Sequence, residues 1–289
     1  MNYSELLKPL EKSSIQISYD TDIDDKCPVG ASKIGGKPDV PLDFEWYYFQ
    51  GTNFDGETGS RPLSFIAQIN CEEVNKYDKD NLLPSKGMLY FFYEITSMAW
   101  GNDPKDKGSA KVYYFPGSVS KLQSTDFPVD LSDELKLPEI PITFSHKSEL
   151  PNFEEFFEWN SDVAYSEWDN YDDTKIQMGF DSDFDDEIET MKHNKLLGYA
   201  DVIQSGMLLE CECAANGICY REVPNMPEEK LRQHKENSKK WQLLFQLDSI
   251  ETDNYEMLWG DTGKLYFYIN IDDLVKLNFD NCWLILQCY

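Results

Sequence analysis

The sequence predicts an α+β fold dominated by strands, with mixed or antiparallel sheets, internal pseudo-duplication and a few short helices. Three observations lead there. Short apolar runs rich in aromatic and β-branched residues recur between Gly, Pro, Asn and Asp punctuation, as strands do. Segments with helical start and stop signals are few. Finally, motifs near one end of the chain are echoed near the other, which at 289 residues favours one domain of two related halves.

Taken in order, strands are predicted at Ile15 to Tyr19, Leu63 to Ile69, Met88 to Ile95 and Lys111 to Phe115, then at Leu243 to Leu247, Lys264 to Ile271 and Trp283 to Cys288. Asn70 and Asn270 each read as the cap of a short helix, with an acid (Glu73, Asp273) three residues on. The best longer helix is Pro227 to Trp241: proline stands at its start, two glutamates follow, and lysines crowd the end in accord with the helix dipole. Between Pro116 and Pro151 the prolines break any periodicity, predicting loops and short edge strands. From Glu154 to Glu189 there are fourteen acids against one base, Lys175, so residues 151–189 read as an acidic connection between halves at about 1–150 and 190–289. Phe65-Ile66-Ala67-Gln68-Ile69 is echoed by Leu243-Leu244-Phe245-Gln246-Leu247, and Trp100-Gly101-Asn102 by Trp259-Gly260-Asp261, although the spacing leaves the register of the repeat open.

Charge narrows the function classes. With 26 basic and 53 acidic residues the formal net charge is −27, which repels phosphate backbones and argues against nucleic acid. Hydrophobic residues at 41% argue against disorder. The first residues lack a signal-peptide pattern and no apolar run is long enough to span a bilayer, so no membrane is expected. Seven cysteines at irregular spacing do not form a secreted disulfide framework, and a reducing cytoplasm is the expected home.

Several blocks together resemble the YwqG-like family of bacterial proteins. They are Ser32-Lys33-Ile34-Gly35-Gly36-Lys37-Pro38 with Pro41 and Trp46, Pro62 to Ile69, Leu83-Pro84, Gly87 to Phe92 and Trp100-Gly101-Asn102-Asp103-Pro104. His193, Gly198, Gln204, Trp259-Gly260-Asp261 and Trp283 to Cys288 extend the match toward the C-terminus. The family tends to have Trp-Pro where this chain has Trp46-Tyr47. The resemblance implies a β-rich, pseudo-symmetric, cytoplasmic bacterial protein and no established reaction. Some family members lie near polymorphic-toxin genes, which implies an immunity or antitoxin-like role.

Motif chemistry is mostly explained away. Gly30 to Pro38 imitates a phosphate loop, but Ala31 stands where the first glycine belongs and Pro38 follows Lys37 in place of Ser or Thr, so Gly35 and Gly36 read first as a turn. Asp181 to Asp185 opens like a calcium loop but has Asp186 at its sixth place and Lys192 at its twelfth; Asp20, Asp22 and Asp24 imitate the same opening and fail likewise. Asn216-Gly217 predicts a hairpin, with Glu212 opposite Arg221 and with Cys211 and Cys213 on the face away from Cys219, which disfavours a metal site. No metal or cofactor is expected. His193 reads first as a structural histidine. Gln68 and Gln246, amides within apolar strands, must find partners: either they tie loops to the sheet or they face a shared cleft. The expected function is a non-catalytic interaction module whose acidic surface meets a basic protein. The alternative is a small-molecule or carbohydrate-binding module, or a hydrolase, with a cleft lined by Trp46, Trp100, Trp259, Gln68 or Gln246 and involving Gly35, Gly36 and His193. Catalytic residues and oligomeric state are not specified.

Overall fold

The computed structural model describes residues 2–19, 26–160, 163–183, 193–252 and 255–289. Its strands, in chain order, are β1 (Lys12–Tyr19), β2 (Lys33–Ile34), β3 (Asp39–Pro41), β4 (Tyr48–Thr52), β5 (Thr58–Pro62), β6 (Ser64–Asn70), β7 (Met88–Tyr93) and β8 (Ala110–Phe115). Then follow β9 (Leu122–Ser124), β10 (Ile140–Glu149), β11 (Asn194–Leu197), β12 (Trp241–Asp248), β13 (Ile250–Thr252), β14 (Tyr255–Met257), β15 (Lys264–Asn270) and β16 (Trp283–Gln287). The helices are α1 (Tyr3–Leu7), α2 (Cys71–Val74), α3 (Phe153–Trp159), α4 (Trp168–Gln177), α5 (Leu208–Ala215), α6 (Glu228–Ser238) and α7 (Ile271–Leu274). Among the described residues no helix is long and apolar enough to cross a membrane.

Ten strands form one antiparallel sheet in the order β16-β15-β12-β11-β1-β10-β2-β6-β7-β8. β6 and β7 are buried along their whole length because both faces of the sheet are covered, which is why they read as continuous apolar runs. The sheet curls strongly: Phe91 on β7 meets Phe245 on β12 at 4.5 Å between ring centroids and Phe267 on β15 at 5.2 Å, although five strands separate β7 from β12 in the sheet order. Bulges sharpen the twist, and β6 and β12 each carry one, skipping Ile66 and Leu244. The two sheet edges, β8 and β16, thereby come near each other in a nearly barrel-shaped body. Across the seam the Leu286 N–H donates to the Trp100 carbonyl, the Trp283 indole N–H donates to the Gly101 carbonyl, and Lys111 is paired with Asp280. Gly101 has φ +83°, and a Cβ there would lie 1.9 Å from the Leu284 carbonyl oxygen, so the seam closes only around glycine.

Most predicted strands and both asparagine caps appear: Asn70 accepts from the Glu72 N–H at 3.0 Å and Asn270 from the Asp272 N–H at 3.0 Å. The longer helix is shorter than expected, because Trp241 already opens β12. The region of prolines differs from expectation. Ile140 to Glu149 is a ten-residue strand at the middle of the sheet, not a short edge. Pro141 is tolerated because pairing with β1 begins only at Ile142; before it, β10 pairs with the two-residue β2. The acidic stretch also packs. Phe153, Phe156 and Tyr171 from α3 and α4 form a cluster with Tyr3 and Leu7 of α1.

The expected hairpin at Asn216-Gly217 is overturned. Leu208 to Ala215 is helical, and Gly217 (φ +81°) ends it with a Schellman turn: its N–H reaches the Ala214 carbonyl, and the Ile218 N–H reaches that of Cys213. The alternation of Cys211-Glu212-Cys213 was a false strand signal, and Asn-Gly serves a helix terminus as readily as a hairpin. Glu212 therefore does not face Arg221. It is buried and accepts from the Trp241 indole N–H at 3.0 Å and from Asn237 Nδ2 at 3.3 Å, with His234 Nδ1 at 3.2 Å.

Candidate functional site

The buried glutamines organise two clusters built alike. Gln68 is fully enclosed on β6, with Lys33 of β2 opposite it in the register. The Asp39 N–H donates to Gln68 Oε1 at 2.8 Å, and Gln68 Nε2 donates to the Ala31 carbonyl at 2.7 Å and to Asp39 Oδ2 at 2.8 Å. Lys33 Nζ lies 3.4 Å from Asp39 Oδ2 and 2.8 Å from Glu139 Oε2, and the Tyr90 hydroxyl donates to the Asp39 carbonyl. On the other side of the sheet Gln246 is equally enclosed on β12, opposite Lys195 of β11. The Asp201 N–H donates to Gln246 Oε1 at 2.9 Å, and Gln246 Nε2 donates to the His193 carbonyl and to Asp201 Oδ2, both at 2.6 Å. Lys195 Nζ lies 2.9 Å from Asp201 Oδ1 and 3.2 Å from Glu149 Oε2, and the Tyr266 hydroxyl donates to the Asp201 carbonyl.

Electrostatics follow from this enclosure. Burial works against charge on Lys195, yet Asp201 and Glu149 hold its ammonium above the ordinary lysine range. Burial likewise opposes ionisation of Asp201, but Lys195, His193 and Lys264 hold its carboxyl well below the usual range. Such a lysine is locked in its charged form and has no free lone pair for nucleophilic work. The clusters pin loops 31–39 and 193–201 to the sheet. Their partners were missed in the sequence; the signal was a shared spacing, Lys33 to Asp39 and Lys195 to Asp201, each with a glycine turn inside it.

The other sequence-predicted residues are dispersed. Gly35 and Gly36 have φ +59° and +69°; a Cβ on Gly35 would sit 2.1 Å from the Pro138 carbonyl oxygen, so the turn needs glycine for packing. Trp46 donates its indole N–H to the Leu63 carbonyl at 2.8 Å and packs on Phe44 and Phe92. Trp259 is 1% exposed, donates to the Asp248 carbonyl and meets Tyr93 edge-on. Trp100, 38% exposed, lies at the seam. His193 Nδ1 is 3.8 Å from Asp201 Oδ2, and with Lys195, Asp201 and Glu149 it lines a small cavity of about 80 Å³. Among the described residues no group of three or more His, Cys, Asp or Glu is placed to hold a metal ion. All seven cysteines are free; Cys211 and Cys213 are buried on α5, and burial pushes both thiols up. Of the calcium-like openings, Asp181 and Asp183 are described, and Asp183 is paired with Lys175; Asp20, Asp22, Asp24, Asp185 and Asp186 lie outside the described residues.

A larger cleft, about 530 Å³, opens at the seam itself. β8 and the loop before it form one side, β16 and the residues leading into it the other; the end of α5, the end of α6 and the start of α7 complete it. Trp241, Trp283 and Leu284 are its buried residues of apolar character, while its remaining lining is rich in Asn, Asp and Lys. The only sequence signal for it was the pair of tryptophans opening β12 and β16.

No curated protein matches the chain. A family model described as a domain of unknown function, DUF1963, matches residues 32–288, from the turn that holds Lys33 to the last residues of the sheet edge. The match takes in both glutamine clusters, save Ala31, and the seam, and the chain therefore belongs to the DUF1963 family.

Proposed function

We propose that this chain is a non-catalytic interaction module that meets a basic protein through an anionic exterior. The reading is carried by one contrast. The lysines and carboxylates that resemble reactive groups, Lys33 with Asp39 and Lys195 with Asp201, are consumed in structural clusters, while the chain as a whole keeps a formal charge of −27. Acids stand exposed at well-separated places: Asp43, Glu45, Asp55 and Glu57 beside and within the β4–β5 hairpin, and Glu228, Glu229 and Glu236 on α6. A field of this sign accelerates encounter with a cationic partner and disfavours anionic ones. Within this reading the protein is a cytoplasmic YwqG-like protein of immunity or antitoxin type.

Its two halves are also inferred to be related by duplication. Matched bulges before Gln68 and Gln246, the two Lys–Asp–Gln clusters, and the Tyr90 and Tyr266 hydroxyls on equivalent carbonyls support that view. On that view β6 corresponds to β12 and β7 to β15, with Met88 to Tyr93 the counterpart of Lys264 to Asn270. Immobilised full-length protein, loaded with soluble extract of its native cells at low ionic strength and eluted with salt, tests the function. A cationic protein retained in stoichiometric amount, and rebinding after purification, is expected. An eluate with no salt-released partner would remove the proposal.

A further inference from the structure

We infer that the seam cleft is a binding site for a neutral polyhydroxylated ligand, of the class of an oligosaccharide. At about 530 Å³ it has the size of a small-molecule site, and it is built jointly by the two edges of the sheet. Its charge pattern narrows the ligand. Lys240 is paired with Asp272 at 3.0 Å and Lys111 with Asp280, so these charges are spent on each other. Glu212 is engaged by Trp241, Asn237 and His234, and Asp273 accepts from Asn278 Nδ2 at 2.8 Å and Asn281 Nδ2 at 3.1 Å. Neither carboxylate is left for a cationic ligand, Asp106 accepts from the Gly101 N–H at 2.9 Å, and although the exposed Lys107 also lines the cleft, five carboxylates against three lysines repel an anionic ligand.

Carboxamides remain. Asn216 Nδ2 donates to the Glu212 carbonyl at 2.7 Å, Asn237 Nδ2 to Glu212 Oε1, and Asn281 Nδ2 to Asp273 Oδ2, while Asn270 Oδ1 accepts from the Asp272 N–H. Among the described residues the opposite end of each amide makes no further side-chain hydrogen bond, so the wall offers three amide oxygens and one whole amide NH2 group, beside the second N–H of each engaged nitrogen. Hydroxyl groups, which both donate and accept, match such a set without bringing charge. Trp241 and Trp283 have their indole N–H groups engaged by Glu212 and Gly101, which locks the rings and leaves an apolar floor for the C–H surface of a sugar ring.

Saturation-transfer NMR on the full-length protein tests this, with maltotriose, cellotriose and chitobiose as neutral probes, glucose 6-phosphate as the anionic one and spermidine as the cationic one. At least one neutral oligosaccharide is expected to receive saturation. Ala215→Trp, which places an indole at an exposed helix end on the cleft wall, is expected to abolish the signal. Asn281→Ala, on an exposed residue, is expected to weaken affinity about five- to tenfold, the worth of one ligand hydrogen bond; it carries the test if circular dichroism shows Ala215→Trp misfolded. Saturation of the charged probes alone, of none, or of a neutral sugar whose binding survives both substitutions would overturn the inference. The salt-dependent partner is untouched by either result.

Discussion

Gln68 and Gln246 illustrate how a single residue type ties chain segments far apart in sequence. Each sits with no solvent exposure inside an apolar strand, and each amide serves three backbone or carboxylate partners of one loop. Gln68→Ala and Gln246→Ala would each leave an aspartate N–H and carboxylate short of partners, at a cost of about 1–3 kcal/mol. Lys195→Met removes the buried cation shared by Asp201 and Glu149 and is expected to cost more, about 3–5 kcal/mol, because the buried Glu149 and the half-buried Asp201 lose their counter-ion. Urea denaturation should rank the variants in that order. Titration gives a second test at this scale. Burial pushes the Glu155 carboxyl up to about 8, with Lys12 opposing, and pushes Glu158 up to about 7 against the N–H groups of Leu209 and Leu208. The unfolded chain releases these protons near the ordinary glutamate value while the folded one keeps them. The folded state thus binds more protons between that value and about 8, and stability is lost as pH rises through this window. Thermal unfolding followed from about pH 5 to about pH 9 should show the decline, and Glu155→Gln with Glu158→Gln should flatten it.

Among the elements, α5 is the one whose identity hung on a cap. Its last turn is closed by Gly217 at φ +81°, with open space around the position a Cβ would take. Gly217→Ala therefore meets no clash, and its expected cost of about 1–2 kcal/mol comes from the left-handed backbone alone; a denaturation curve checks it. This helix also shows where the sequence was legible. Runs such as Phe65 to Ile69 and Lys264 to Ile269 were read as strands because both sheet faces bury them, and Asn70 and Asn270 were read as caps because that chemistry is local. Leu208 to Ala215 was misread because Cys-Glu-Cys alternation mimics a strand and the Asn-Gly pair is ambiguous. β10 was missed because Pro138 and Pro141 mark its start and its outward residues are polar. The glutamines were legible as buried amides, whereas their partners were not: Lys33 finds Glu139 across 106 residues, a contact only the sheet order creates. Apart from Trp241 and Trp283, the seam cleft left no mark on the sequence for the same reason, since the sheet's two ends meet only after it curls.

At the scale of the molecule, one curled sheet is stitched across its edges by Trp100, Gly101 and the Lys111–Asp280 pair, and the groups that resemble catalysts are locked within it. Outside, the proposed meeting with a basic partner rests on the net charge of −27. Charge acts through solvent, so it can be screened while contacts within the sheet stay as they are: the Debye length falls from about 10 Å at 0.1 M salt to about 3 Å at 1 M. The most direct measurement is therefore the affinity of the purified, extract-derived partner across that range. The account predicts a loss of tenfold or more, about 1.4 kcal/mol, carried mainly by a slower association rate. An affinity and an association rate that stay constant from low to high salt would contradict it.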